Sequence, residues 1–236
     1  MSVGSKLKSW WHVIAYHTAS KLAFLGTRAF IRVRVTGREH LPRQGPYLLV
    51  CNHISHFDPP ILASSICRKI AWVVALDMYA HPVGWAYFTA IESIPVDRQK
   101  TDRMVARAML RRLQQGEIVG LFPEAGIRSG AASVLGGAPL DEAVGSLARL
   151  GRVPVVPVVI LGADKLYVRK AWFWRTTVDL RFGPAVPWDM DGEHPEIEIT
   201  QKARETMLRL AEDLKRKFGL TEKDLPKTAQ ERWGEG

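Results

Sequence analysis

One short run, Asn52-His53-Ile54-Ser55-His56-Phe57-Asp58-Pro59-Pro60, gathers residues able to do acid–base chemistry. An imidazole titrates near neutrality, so His53 can take a proton from an alcohol. A carboxylate a few residues on, Asp58, can orient the ring and stabilise the imidazolium that forms, as in a serine-hydrolase triad. If the nucleophile is the hydroxyl of an acceptor, no serine of the protein is required. His53 and Asp58 are therefore the candidate catalytic pair for acyl transfer to a hydroxyl. The same residues admit plainer roles. Asp58 ahead of Pro59 suits a helix N-cap with proline at the first helical position, and a lone histidine after a strand can serve structure alone. His53, His56 and Asp58 also offer three metal ligands within six residues, as in a metal-dependent lipid hydrolase. His12, His17, His40, His81 and His194 are scattered, however, and no second ligand cluster follows. No metal is expected.

Three segments that read as strands run into polar residues of this chemical kind. Tyr47–Cys51 ends at Asn52-His53, Ser93–Val96 at Asp97-Arg98, and Ile118–Phe122 at Pro123-Glu124. Open α/β sheets collect ligands beyond the carboxyl ends of their strands, so these three ends are expected to share one site. The rest of the pattern supports such a sheet. Further strands are expected at Phe30–Thr36, Ile70–Ala75, Val153–Ile160 and Thr177–Phe182. Helices are expected at Lys6–Leu25, Pro59–Ile66, Thr101–Gln115, Leu140–Leu150 and Glu198–Phe218. Alternation of this kind indicates an α/β fold: a single domain over residues 30–220, with a mixed, mostly parallel sheet flanked by helices. Pro154 and Pro157 place their strand at a sheet edge. The polar segment 221–236, carrying Pro226, reads as a loosely ordered tail.

Composition narrows the setting. With 236 residues, 47% of them hydrophobic and 24% charged, the chain can bury one sizeable core. Cys51 and Cys67 are its only cysteines; they suggest no disulfide framework and fit a reducing compartment, each as a small buried hydrophobe. The net charge of +9 is unevenly spread, since eight Lys and Arg residues stand against Glu39 alone over residues 1–43. Trp10, Trp11, Tyr16, Phe24 and Phe30 share that segment. Paired tryptophans beside lysines suit a helix lying among lipid headgroups. The longest run there without Lys, Arg, Asp or Glu, Ser9–Ser20, has twelve residues, whereas a spanning helix needs about twenty. Residues 1–29 are thus expected to form an amphipathic helical element at the membrane, with a helix packed on its own domain as the alternative. No small-residue cleavage site follows, so a signal peptide is not expected. Nucleic acid would call for a basic groove with stacking aromatics and is not an expected partner.

The run Asn52-His53-Ile54-Ser55-His56-Phe57-Asp58 resembles the first signature of the glycerol-phosphate acyltransferase family, whose closest members by these motifs are the 1-acylglycerol-3-phosphate acyltransferases. Ile94-Pro95-Val96-Asp97-Arg98 resembles its second block, Phe122-Pro123-Glu124-Ala125-Gly126-Ile127-Arg128-Ser129 its third, and Val153-Pro154-Val155-Val156-Pro157-Val158 its fourth. The likeness covers roughly residues 40–165. It implies transfer of a fatty acyl group from acyl-coenzyme A or acyl carrier protein to a lysolipid hydroxyl, without a resident cofactor and without an acyl-enzyme. His53 and Asp58 would be catalytic. Asn52, Arg98, Glu124, Gly126 and Arg128 would bind substrates, Arg98 on the acceptor phosphate and backbone N–H groups near Gly126 on the developing oxyanion. Glu124 would meet an acceptor hydroxyl or organise its loop. A lipid acceptor implies a peripheral enzyme on the cytoplasmic face of the cell membrane. One departure stands out: Ala125 intervenes before Gly126, so Arg128 lies four residues past Glu124 where the family has three. An acceptor with another headgroup, another lysolipid or a glycolipid, fits that change. Ile61, Leu62, Trp72, Val73, Val74, Trp85, Tyr87 and Phe88 are the candidate lining of an acyl groove.

Overall fold

The computed structural model describes residues 18, 31–66, 68–97, 103–124, 126–168 and 176–234. Its strands are β1 (Ile31–Thr36), β2 (Tyr47–Cys51), β3 (Ile70–Ala75), β4 (Ile94–Val96), β5 (Ile118–Leu121), β6 (Val155–Leu161) and β7 (Thr176–Phe182). They join in one seven-stranded sheet of order β1-β7-β6-β2-β5-β3-β4. From β6 to β4 every pair is parallel, while β7 runs antiparallel to β6 and parallel to β1. The mixed, mostly parallel sheet is the one expected, with each strand bounded within two residues of its reading from sequence.

β2 and β6 show why this order arises. Every residue of YLLVC and VVPVVIL is buried, the mark of a strand covered on both faces. Alternate side chains enter two separate cores: Leu48 and Val50 on one face, Tyr47, Leu49 and Cys51 on the other. The first face is closed by α3 (Arg103–Gln114), α4 (Ala143–Gly151) and α5 (Pro195–Phe218). These bury Val105, Met109 and Leu113, then Val144, Leu147 and Ala148, then Ile199, Ala203, Met207, Leu210 and Leu214, each set at helical spacing. The second face is closed by α1 (Asp58–Ser65), through Ile61 and Leu62, and by α2 (Pro82–Ala90), through Tyr87 and Phe88. A last short helix, α6 (Ala229–Trp233), follows near the chain end.

Two expectations need correction. β6 lies inside the sheet between β7 and β2, not at an edge. Pro157, which has no N–H to donate, precedes the regular β6–β7 ladder, which begins at Val158–Phe182, and its carbonyl still accepts the Gly183 N–H at 2.8 Å. The segment 221–236, read as loosely ordered, is tied down over its described part. Buried Asp164 accepts the Lys227 N–H at 3.0 Å and the Arg232 guanidinium at 2.7 Å, and Lys165 pairs with Asp224 at 2.7 Å. The expected N-terminal helical element, residues 1–29, lies outside the described residues apart from residue 18. No helix among the described residues is long and apolar enough to cross a membrane.

Candidate active site

β2 ends at Cys51 and α1 begins at Asp58, so the sharp turn between a buried strand and a helix holds the candidate pair. His53 Nδ1 lies 2.9 Å from Asp58 Oδ2. The same oxygen accepts the backbone N–H groups of Ile54 and Ser55, both at 2.8 Å. The carboxylate therefore reaches back over its own turn and does not cap the helix, whose N-cap position falls to Phe57 with no side-chain cap. Asp58 is fully buried, and among the described residues its Oδ1 has no hydrogen-bond partner.

Burial pushes the Asp58 carboxyl above its ordinary value, against the pull of His53 and the two N–H groups. A carboxyl raised in the native state holds its proton more firmly folded than unfolded. Its contribution to stability is present below the unfolded value and is lost as pH rises through the native one. Relative to wild type, Asp58→Asn is therefore expected to gain melting temperature as pH is raised from about 4 to about 7. Thermal denaturation of both proteins at both pH values checks this; a difference that shrinks on raising the pH contradicts it.

The imidazole is fixed in plane as well as in rotation. It stacks on Phe122 with centroids 4.1 Å apart at 20°, and Phe122 stacks on Trp72 at 5.3 Å and 9°. Gly120 makes room for this stack, because a Cβ there would sit 2.4 Å from the Trp72 ring. With Nδ1 committed to Asp58, Nε2 is the nitrogen left for a substrate.

Glu124 takes the loop-organising role of the two expected for it. Its Oε2 accepts the His53 N–H and its Oε1 the Val134 N–H, both at 2.7 Å. Burial raises its carboxyl above the ordinary range, opposed by these two bonds. The Arg128 N–H donates to the His53 carbonyl at 3.0 Å while its side chain is exposed. The third block is thus bound to the first through backbone on both sides of His53. Asn52 was expected among the substrate-binding residues, and the structure corrects this. Its side chain is 0% exposed, and its amide donates to the Ile160 carbonyl and accepts the Ile160 N–H, both at 2.9 Å. Asn52 continues the β2–β6 pairing by one side-chain step, with both ends of its amide committed to Ile160. Arg98 lies outside the described residues.

Two cavities open on opposite faces of the sheet and share His53, Val73, Ala75, Phe122 and Gly126. One, of about 590 Å³, is lined largely by apolar side chains including Phe57, Val74, Met78, Tyr87 and Phe88. The other, of about 460 Å³, adds Val96, Asp97, Met109, Pro123, Asp141 and Leu147. The three strand ends expected to share a site do so, since residues following β2, β4 and β5 all border the second cavity. Of the candidate groove lining, Val73, Val74, Tyr87 and Phe88 line the first cavity. Ile61, Leu62 and Trp72 belong instead to the buried core, and Trp85 is exposed. Met78, Phe122 and Asp141 line these spaces without having been singled out; the phenylalanine sat in the third block as a strand residue, and the other two carried no signal. His56 lines the first cavity beside His53 and lies near Tyr167, with ring centroids 6.2 Å apart and planes at 88°. Among the described residues, no three or more His, Cys, Asp or Glu side chains are arranged to hold a metal ion.

Comparison with known proteins adds a family. The family model described as Acyltransferase matches residues 32–161, more than half of the chain. The 1-acyl-sn-glycerol-3-phosphate acyltransferase of Bacillus subtilis (strain 168) is 26% identical over 131 residues, which are 55% of this chain and 63% of that protein. The lyso-ornithine lipid O-acyltransferase of Rhizobium meliloti (strain 1021) is 36% identical over 96 residues, 40% of this chain and 32% of that protein. The chain thus spans less than two-thirds of the length of these curated relatives. In structure, it is similar to the 1-acyl-sn-glycerophosphate (LPA) acyltransferase PlsC from Thermotoga maritima. The TM-score is 0.64 at 22% identity, covering 91% of this chain and 84% of that one. This likeness shows a shared fold.

Proposed function

Since the chain belongs to the acyltransferase family, we propose that it moves a fatty acyl group from a thioester donor to the free hydroxyl of a lysophospholipid. The acceptor we assign is 1-acylglycerol-3-phosphate, giving phosphatidate, in keeping with the reaction named for the relative in Bacillus subtilis. The observation that carries the reading is the 2.9 Å contact of His53 Nδ1 with a fully buried Asp58, at the point where two cavities meet.

In this reading His53 Nε2 takes the proton of the acceptor hydroxyl as its oxygen attacks the thioester carbonyl. The imidazolium is held by Asp58. Negative charge on the carbonyl oxygen is met by backbone N–H groups near Gly126, which borders both cavities. The C–S bond then breaks, and the imidazolium returns its proton to the departing thiolate. The apolar cavity suits the acyl chain, Arg98 the acceptor phosphate, and Arg128 the headgroup side of the same loop. Acyl-coenzyme A and acyl carrier protein are both acidic, and a chain of net charge +9 attracts either. No resident cofactor is called for. The basic, tryptophan-bearing residues 1–29 would hold the protein at the cytoplasmic face of the membrane.

A second acceptor has specific support. The stretch 36% identical to a lyso-ornithine lipid O-acyltransferase, together with the extra residue between Glu124 and Arg128, favours testing a lysolipid without a phosphate. Both readings share direct transfer. In a rapid-quench single turnover with radiolabelled acyl-coenzyme A, labelled product is expected to appear with no covalent acyl-protein on denaturing gels or by intact mass. A chemically competent acyl-protein intermediate would overturn direct transfer.

A further inference from the structure

The backbone donors of the His53 turn can be traced one by one. The His53 N–H goes to Glu124, those of Ile54 and Ser55 to Asp58, that of Phe57 to the Ser55 hydroxyl at 3.2 Å, and that of Asp58 to the Ser55 carbonyl at 3.0 Å. All these acceptors lie within the turn or in the third block beside it. The His56 N–H differs: it donates to the Tyr167 hydroxyl at 3.1 Å, 111 residues further along the chain. Polar backbone in a tight turn has to be satisfied, so the conformation between His53 and Asp58 depends partly on what holds Tyr167.

Tyr167 closes the short 3₁₀ turn Ala163–Tyr167 after β6, and this turn is where the C-terminal segment docks. Asp164 and Lys165 of the turn receive that segment through Arg232, Lys227 and Asp224. Arg232 also donates to the Leu225 carbonyl at 3.2 Å, closing the segment on itself. The Trp233 ring then meets the Tyr167 ring at a steep angle, with centroids 6.4 Å apart and planes at 75°, and Phe57 and His56 also lie near Tyr167 at 6.3 and 6.2 Å. A tyrosine hydroxyl is a directional partner only if its ring is held. Trp233 and the Asp164–Arg232 clamp supply that hold.

We propose that residues 221–233 brace the catalytic turn through Tyr167, which makes Tyr167 a positioning residue for His53. The inference rests on the reading of that turn as catalytic. Tyr167 does not touch the reacting atoms; it holds His56, whose neighbours on either side fix the span between base and carboxylate. A misplacement of about 1 Å at a general base is costly, so a brace remote from the chemistry can govern turnover without altering substrate binding.

Two measurements test this, one of them independent of activity. Tyr167→Phe keeps the ring and deletes the oxygen. It should lower kcat by about tenfold with both KM values within about twofold. Trp233→Ala changes a residue that is 62% exposed and should leave the fold intact. By hydrogen–deuterium exchange it should speed exchange of the peptide covering residues 53–58 by about tenfold without affecting β2 or β6. Arg232→Ala should do the same, with Arg232→Lys restoring part of the protection. Unchanged kcat in Tyr167→Phe, or unchanged exchange at 53–58 in Trp233→Ala, would overturn the proposal. So would faster exchange spread evenly over the sheet, which would mark the contact as structural only. Selective exchange in Trp233→Ala, together with a wild type that transfers no acyl group, would leave the brace standing and sink the acyltransferase reading.

Discussion

His53→Ala is expected to lower kcat by roughly 10³- to 10⁴-fold, the upper part of the range for loss of a positioned general base. An alcohol is a poor nucleophile until its proton is taken, and the His53 imidazole borders both cavities with a fully buried carboxylate behind it. His56 also lines the apolar cavity but is not the histidine set against Asp58, Glu124 has an N–H on each carboxylate oxygen, and Asp58 is buried behind the His53 imidazole. The KM for either substrate should move little, because the ring contributes one edge to cavities lined mainly by other residues. The fold should survive, since the side chain is 15% exposed and its packing partner Phe122 keeps Trp72. Steady-state thiol release against acyl-coenzyme A, with circular dichroism as the fold control, is the check. A loss smaller than about tenfold would remove His53 from the chemistry.

The second large effect concerns Asp58→Asn, for which kcat should fall by roughly 10²- to 10⁴-fold. The substitution keeps shape and volume in a fully buried position but replaces a charge facing His53 Nδ1 with a neutral amide. An amide nitrogen turned toward Nδ1 favours the tautomer whose proton sits on Nε2, the nitrogen that must act as base. An amide oxygen turned that way keeps the tautomer but gives little support to the imidazolium. Because the two residues act as a unit, His53→Ala combined with Asp58→Asn should be barely worse than His53→Ala alone. Multiplying losses would show that each acts separately and would contradict the pair.

These predictions draw on residues legible in the sequence to different degrees, and the difference has a physical origin. The strands were legible because runs such as YLLVC and VVPVVIL are covered on both faces and carry no polar position to blur them. The helix α2 was not, since PVGWAYFTA is apolar all round and opens with Pro and Gly, leaving no 3.6-residue stripe to read. The type and spacing of His53 and Asp58 announced acid–base chemistry, because a base and its carboxylate sit on one turn. Asn52 and Glu124 were visible only as polar residues at strand ends. Their use, tying backbone to backbone across β6 and the third block, depends on partners 108 and 71 residues away. Tyr167 had no local sign, since what gives it a role is the C-terminal segment folding back on Asp164. Pro157 misled for the converse reason: a proline usually marks an edge, and here a delayed ladder admits it to the middle of the sheet.

The most direct test of the central claim is product identification with the wild-type protein. Purified protein in detergent or vesicles would receive a long-chain acyl-coenzyme A, with 1-acylglycerol-3-phosphate present or absent, and with a phosphate-free lysolipid in parallel. Free thiol and lipid products would then be followed by mass spectrometry. The account predicts acceptor-dependent thiol release matched mole for mole by phosphatidate, and its disappearance in His53→Ala. Thiol release that ignores every acceptor, or acceptor acylation that survives loss of His53, would contradict it.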